Sequence, residues 1–322
     1  MSVLLTGAFG NVGLSTLKNL IHRNHKVRIF DIESSKNRKI AKKFEDKVEI
    51  IWGDIRNKED VEKAVSGQEV VIHLAAIIPP LADKQPKFAE EVNVGGIANL
   101  IEAMENQVKK PRLIFTSSIA IYGDRLESPF IKVSDPPNPN SDDEYGKQKL
   151  KCENLIKNSR LEWLIFRLTY IASPNKLQID ALMFDLPLET CIEICHYKDV
   201  GFAIVNAIEN NEVWGETMNI AGGKKCRIIY RELIARMLGL FGLGNHYLPS
   251  EAFNNCGSIC GFMDTSKSQR LLQYQRHTLS DYFNEVKKKV RFLRFFATLV
   301  RPLARRYIIG KSPYYKDKHK HN

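Results

Sequence analysis

Val3-Leu4-Leu5-Thr6-Gly7-Ala8-Phe9-Gly10-Asn11-Val12-Gly13 is the stretch from which the fold is read. Val3-Leu4-Leu5 is a short apolar run, as in a parallel strand buried on both faces. Glycines at 7, 10 and 13 follow, then a helix-like run, LSTLKNLIHRN. Such a turn lets the backbone approach an anion at a helix N-terminus, where unpaired N–H groups point outward. Residues 25–31 form a second strand-like run ending in an acid, Asp31, 18 residues beyond Gly13. A carboxylate there suits the ribose of NAD and disfavours the 2′-phosphate of NADP. Gly7, Phe9, Gly10, Asn11, Val12 and Gly13 are the predicted pyrophosphate turn, and Asp31 the predicted ribose contact.

Outward from this stretch, short apolar runs alternate with helical patterns. Strands are predicted at 48–52, 69–74, 112–118 and 161–168, and helices at 57–65, 85–107 and 142–158. That rhythm predicts an α/β fold: a Rossmann-type doubly wound parallel sheet. With 322 residues, 43% of them hydrophobic, the chain is long enough for two lobes. The cofactor domain is predicted to hold 1–170 and 191–222. A small α/β substrate lobe would comprise 171–190 and 223–286, with helices at 229–241 and 278–290. Residues 287–322 form a basic amphipathic tail. The segment 124–141, rich in Pro, Ser, Asp and Asn, is predicted to be a loop able to cover the site. A strand beginning at residue 2 argues against a secretory signal, so the expected location is cytoplasmic.

The chemistry is read from Ser118, Tyr145 and Lys149. Four residues make about one helical turn, so a helix stacks Tyr145 and Lys149 on one face. An ammonium beside a phenol favours the phenolate, which predicts a lowered Tyr145 pKa. A phenol so tuned takes a proton from a secondary alcohol or gives one to a ketone. Ser118, at the end of a strand-like run, is placed to hold the substrate oxygen.

These motifs, in this order, resemble the extended short-chain dehydrogenase/reductase family, the NAD-dependent epimerase/dehydratase group. The resemblance runs from Ser2 to about Leu233. TGAFGNVG is similar to the family's TGxxGxxG. Trp52-Gly53-Asp54-Ile55 resembles the segment whose aspartate touches adenine, which implies that role for Asp54 with Ile55 beside it. His73-Leu74-Ala75-Ala76 resembles the segment along the cofactor, and Asn93 the structural asparagine. YGKQK and Ser118 align with the catalytic residues. Residues 194–200 resemble the HVxDV segment, and 215–220 the strand that follows it. The resemblance implies Tyr145 as general acid/base, Lys149 as its tuner and nicotinamide-ribose contact, and Ser118 as the oxygen-polarising residue. It also implies a homodimer paired through helices 85–107 and 142–158.

Departures from the family bear on the substrate. Tyr170 and Ser173 stand where nucleotide-sugar enzymes carry asparagine and glycine, and Ile192 where an arginine often grips phosphate. Only 16 residues, 175–190, separate Pro174 from the next strand. Ile119 and Ala120 follow Ser118 where dehydratases place two acids, which argues against sugar dehydration. By family default the substrate is a nucleotide sugar. The alternatives are a hydrophobic alcohol (sterol-like, isoprenoid or lipid-linked) and a non-catalytic NAD-binding regulator.

Six cysteines, 152, 191, 195, 226, 256 and 260, include two Cys-x-x-x-Cys pairs. No histidine pattern completes a zinc site, so reduced thiols and no metal are expected. The chain has 48 Lys/Arg and 37 Asp/Glu; residues 287–322 hold 12 and one of them, so residues 1–286 are formally neutral. Phe292, Phe295, Phe296, Leu299, Val300 and Leu303 recur at helical spacing among arginines. The tail is too charged to span a membrane, and residues 291–310 fit a peripheral contact with an anionic bilayer. Docking on the chain's own second lobe, a dimer contact and disorder are the alternatives. Nucleic acid is not an expected partner, because no base-reading motif accompanies the charge.

Overall fold

The computed structural model describes residues 1–318 except 176, 178–180, 245–247, 256 and 258–259. The strands are β1 (Ser2–Thr6), β2 (Lys26–Asp31), β3 (Glu49–Trp52), β4 (Val70–His73), β5 (Arg112–Ser118), β6 (Phe130–Ile131), β7 (Trp163–Leu168), β8 (Tyr170–Ala172), β9 (Cys191–His196), β10 (Glu216–Ile220), β11 (Arg227–Ile229) and β12 (Phe262–Met263). The helices are α1 (Asn11–His22), α2 (Ser35–Ala41), α3 (Lys58–Val65), α4 (Leu81–Lys84), α5 (Pro86–Glu90), α6 (Gly96–Glu105), α7 (Glu144–Lys157), α8 (Tyr197–Ile208), α9 (Tyr230–Leu240), α10 (Ser266–Leu272), α11 (Leu279–Lys289), α12 (Arg291–Leu299), α13 (Arg301–Ile309) and α14 (Pro313–Lys318).

The main sheet has seven parallel strands in the order β3-β2-β1-β4-β5-β7-β10. Its strands are apolar on both faces because helices cover both. Leu17 and Leu20 of α1 and Ala203 and Ile204 of α8 pack on one face. Val61 of α3, Leu100 and Met104 of α6 and Ile156 of α7 pack on the other. The chain leaves β1 toward β2 and β3, then crosses back to β4, so strand order reverses beside β1. Ligands in open α/β sheets bind at such a reversal, outside the carboxyl ends of the strands. The glycine turn lies there.

The predicted helix 85–107 is three consecutive pieces: α5, a wider-wound stretch at Glu91–Gly95, and α6. The second lobe joins β8, β9 and β11 into a small sheet, with β6 and β12 as a parallel pair. Its core includes Phe184, Ile192, Leu233, Phe253, Tyr282 and Val286. Pro302 falls in the first turn of α13, where its missing N–H costs nothing, and the tail breaks between Leu299 and Arg301.

Candidate active site

Two of the three glycines are required by close packing. Gly7 has φ +67°, and a Cβ there would lie 2.7 Å from the Ala75 nitrogen. At Gly13 a Cβ would lie 2.2 Å from the Gly7 carbonyl oxygen. Gly10 differs: a Cβ would meet nothing nearer than the Gly7 oxygen at 3.5 Å, so the turn is open above it. Gly10 caps α1 without a side-chain hydrogen bond, and no acid occupies the first turn with Asn11 and Val12. An open cradle at an uncapped helix N-terminus fits a pyrophosphate.

The neighbouring predicted residues converge on this turn. The Phe9 N–H donates to Asp31 Oδ2 at 3.4 Å, and the Ile32 N–H to Asp31 Oδ1 at 2.9 Å. Burial raises the Asp31 pKa, against these two backbone bonds. The Phe9 ring stacks on Trp52 at 5.6 Å. Leu74 and Ala75 both donate their N–H to Thr6 Oγ1 at 3.2 Å, which fastens the end of β4 over the glycine turn. Ala76 follows them. Asn93 accepts from the Ile77 N–H at 2.8 Å and donates to the Ile77 carbonyl at 2.9 Å and to Gln148 Oε1. Asp54 is engaged by Arg56, whose Nε and Nη2 donate to its carboxylate at 2.6–3.1 Å. That arginine holds the Asp54 carboxyl below its usual range. Ile55 is buried beneath Gly96.

Ser118 ends β5, and Tyr145 and Lys149 lie on α7. Asp143 starts that helix by accepting the Gly146 N–H at 2.8 Å. Lys149 is buried; its Nζ donates to the Thr116 carbonyl at 2.8 Å and sits 4.7 Å over the Phe115 ring and 5.7 Å from the centre of the Tyr145 ring. Burial pulls its pKa down to about 8. The half-buried Tyr145 departs from expectation. Burial raises its pKa, a hydrogen bond with Ser118 lowers it, and Asp143 and Cys152 raise it further. The Lys149 ammonium donates its hydrogen bond to a backbone carbonyl, so the lysine effect expected from spacing does not decide the shift. Burial keeps the phenol in its neutral form, with its oxygen bonded to the Ser118 hydroxyl.

Sequence reasoning did not foresee the buried network behind the triad. Arg167 donates to both oxygens of Glu153 at 2.7–2.9 Å and to the Tyr122 hydroxyl at 2.7 Å. Tyr122 donates to Asn219 Oδ1 at 3.1 Å. Burial pushes Glu153 up, but Arg167 outweighs it and the carboxyl stays below its ordinary value. The network ties α7, β7 and β10 to the turn Ile119–Tyr122 that follows Ser118. The one local signal was Arg167, a lone charge in the apolar run of β7. The loop 124–141 is pinned: Arg125 holds Asp135 at 2.8 Å, and the Asn138 N–H bonds the Ile121 carbonyl.

Cys152, Cys191, Cys195 and Cys226 are free thiols, and burial raises the pKa of each and of Cys260. Cys256 lies outside the described residues. His196, Asp199 and His277 place possible ligand atoms within 4.8 Å of one another. His277 bonds Asp199 at 2.5 Å, His196 bonds Glu285 at 3.2 Å, and the two rings stack at 4.2 Å. No sequence motif pointed to His277. Ile192, at the arginine position, is 1% exposed in the core of the second lobe.

Residues 4–163 match the 3-beta hydroxysteroid dehydrogenase/isomerase family. UDP-glucose 4-epimerase of Vibrio cholerae is 32% identical over 184 residues, 54% of this chain and 53% of that protein. Human 3 beta-hydroxysteroid dehydrogenase type 7 is 32% identical over 195 residues, 58% of this chain and 47% of that one. The matched region spans about half the length of these relatives. The structure of UDP-glucuronic acid 4-epimerase from Bacillus cereus in complex with NAD superposes with a TM-score of 0.74 at 24% identity, covering 91% of this chain and 97% of that one. At that identity the likeness is one of fold.

Proposed function

We propose that the chain, as a member of the extended short-chain dehydrogenase/reductase family, the NAD-dependent epimerase/dehydratase group, is an NAD-dependent oxidoreductase acting on a secondary alcohol or its ketone. The observation that carries the reading is the meeting of Ser118, at the carboxyl end of β5, with Tyr145 and Lys149 of α7, in the same sheet whose β1 leads into the open turn at Gly10. The residues present fit NAD: Gly10 and the start of α1 for the pyrophosphate, Asp31 for the ribose, and the Leu74–Ala75 strand end alongside. Bound there, NAD supplies the hydride acceptor and, in reduced form, the donor.

The protein's part is proton transfer and orientation. Ser118 and Tyr145 together hold the substrate oxygen through their hydroxyls. A protonated Tyr145 donates to a ketone oxygen as negative charge builds on it and is left as the phenolate; in the reverse direction that phenolate takes the alcohol proton and returns to the phenol. Lys149, fixed by the Thr116 carbonyl and Phe115, sets the local field and offers its remaining N–H donors to the nicotinamide ribose. The buried Arg167–Glu153 pair fixes α7 against β7, the strand beside β5.

A nucleotide sugar is the first substrate reading, supported by the epimerases among the relatives. Epimerisation would then be oxidation and re-reduction on the opposite face, with no net redox change. A hydrophobic hydroxyl compound is the second. It is favoured by buried Ile192 in place of a phosphate-gripping arginine, and a hydroxysteroid dehydrogenase is also among the relatives. Mass spectrometry of small molecules released on denaturation tests both. Retained NAD with a sugar nucleotide supports the epimerase; NAD with a co-purifying lipid supports the second reading. A protein that neither retains nor binds NAD overturns the proposal.

A further inference from the structure

Single exposed apolar residues are ordinary, but a contiguous run of large ones marks an interaction surface. On α12 and α13, Phe292, Phe295, Phe296, Leu299, Leu303 and Tyr307 are 65–79% exposed. These helices are nevertheless fixed to the protein, by their other face. Thr298 Oγ1 and Arg301 Nε donate to the Gly242 carbonyl at 3.4 and 3.1 Å, and Arg305 to the Leu243 carbonyl at 3.4 Å. Ala297 and Ala304 pack on the second lobe, Ile308 is 2% exposed within its core, and Ser312 Oγ bonds the Ala252 carbonyl at 2.5 Å. The docked face is thus made of alanine, threonine, arginine and isoleucine, while the aromatic face points away. An amphipathic helix ordinarily does the reverse. Docking on the second lobe, one of the alternatives for the tail, does occur, and it leaves the aromatic face uncovered.

The charges identify the partner. Residues 287–311 hold nine Lys/Arg and no Asp/Glu. Asn284, Lys287, Lys288, Arg291 and Arg294 line a groove of about 420 Å³ at the start of α12. A second copy of the chain would bring the same cations face to face, which like charges oppose. We propose that this surface docks on an anionic lipid bilayer. α12 and α13 would lie in the interfacial plane, with their aromatic side chains at the acyl boundary and their arginines among the headgroups. The groove would take a lipid phosphate. Large apolar side chains on one face and cations around them are the signature of an interfacial helix, and each cation adds attraction to anionic lipid. Arginine's planar fork suits phosphate oxygens. Among the described residues no helix is long and apolar enough to cross the bilayer, so the contact is peripheral. The C-terminal helices are also joined to the segment between Pro174 and β9. Lys289 Nζ donates to Asn175 Oδ1 at 2.7 Å, and the Tyr314 hydroxyl to Asp185 at 3.0 Å.

Flotation of the full chain with phosphatidylcholine vesicles, with and without phosphatidylglycerol, tests this. Binding is expected to the anionic vesicles, to weaken with added salt, and to be slight on the neutral ones. Phe295→Ser with Phe296→Ser, and Arg291→Glu with Arg294→Glu, should each lower the partition coefficient by about tenfold or more. Circular dichroism should show both variants folded. Tyr145→Phe should float like the parent chain, so failure of the catalytic reading leaves this inference standing. Equal binding to both kinds of vesicle, or capture unchanged by the variants, overturns it. So does a concentration-dependent dimer that forms without lipid and is lost on Phe295→Ser with Phe296→Ser.

Discussion

Helix α7 buries Gln148, Lys149 and Glu153, whereas helix α12 buries nothing and holds three phenylalanines in the open. Each inverts the usual rule for a surface helix, in opposite directions. On α7 the buried charges are matched: Lys149 to a backbone carbonyl, and Glu153 to Arg167 and Lys157. The polar groups are expensive to desolvate and are kept because they hold a reacting geometry. On α12 the exposed rings meet one another, Phe295 edge-on to Phe296 at 5.6 Å, and Arg291 lies over Phe292; they stand outside the core, so their removal should cost the fold little. One inversion is satisfied internally; the other can be satisfied only from outside.

Substitutions at each site can break this contrast. The largest effect is expected from Tyr145→Phe. It should lower turnover by about 10²–10⁴-fold on the substrate identified among the released molecules, while calorimetry shows NAD binding intact. Undiminished turnover would remove α7 from the chemistry. Next is Glu153→Ala, which leaves Arg167 buried without its carboxylate. Urea unfolding should show a loss of about 3–5 kcal/mol; a loss near zero would mean that the buried pair is not structural. Acid should destabilise the same region. Burial first, then Lys149, lowers the His73 pKa from its ordinary 6.5 to about 3. Between those values the unfolded chain binds a proton that the native state refuses, so stability falls as the pH drops below about 6.5. From pH 7 to 5 the loss should be about 2 kcal/mol, and His73→Gln should flatten that slope in urea titrations at the two pH values. The smallest effect belongs to α12. Phe295→Ser with Phe296→Ser should change stability by less than about 0.5 kcal/mol per site, read by thermal unfolding. A larger loss would show that the rings pack on the protein and would cancel the contrast.

Much of the α7 side of the comparison could be read in the sequence. Glycines between an apolar run and a helical run, followed by Asp31, are local signals with one common structural solution. The four-residue spacing of Tyr145 and Lys149 survives any change in packing. The direction of the Tyr145 shift was not readable, because it depends on where the lysine ammonium points, and the Thr116 carbonyl claims it. The wider-wound turn at Glu91–Gly95 is likewise invisible to a periodicity of 3.6. On α12 periodicity groups the aromatic residues on one face, and those residues are exposed. It could not say which face docks, since that is settled by carbonyls at Gly242 and Leu243 far away in sequence. The His196–His277 stack joins two segments 81 positions apart, with no motif around the second.

The place of β10 has a consequence in time. It closes the outer edge of β7, yet it is made only after the chain has left the sheet to build β8, β9 and α8. Roughly 50 residues separate the two strands, which a ribosome takes about 3–10 s to add. Throughout that interval β7 presents a bare, apolar hydrogen-bonding edge, Leu164-Ile165-Phe166, to whatever else is nearby. The nascent chain is therefore most prone to aggregation in mid-synthesis, and a ribosome stalled near residue 200 would leave a nearly complete sheet that is still adhesive.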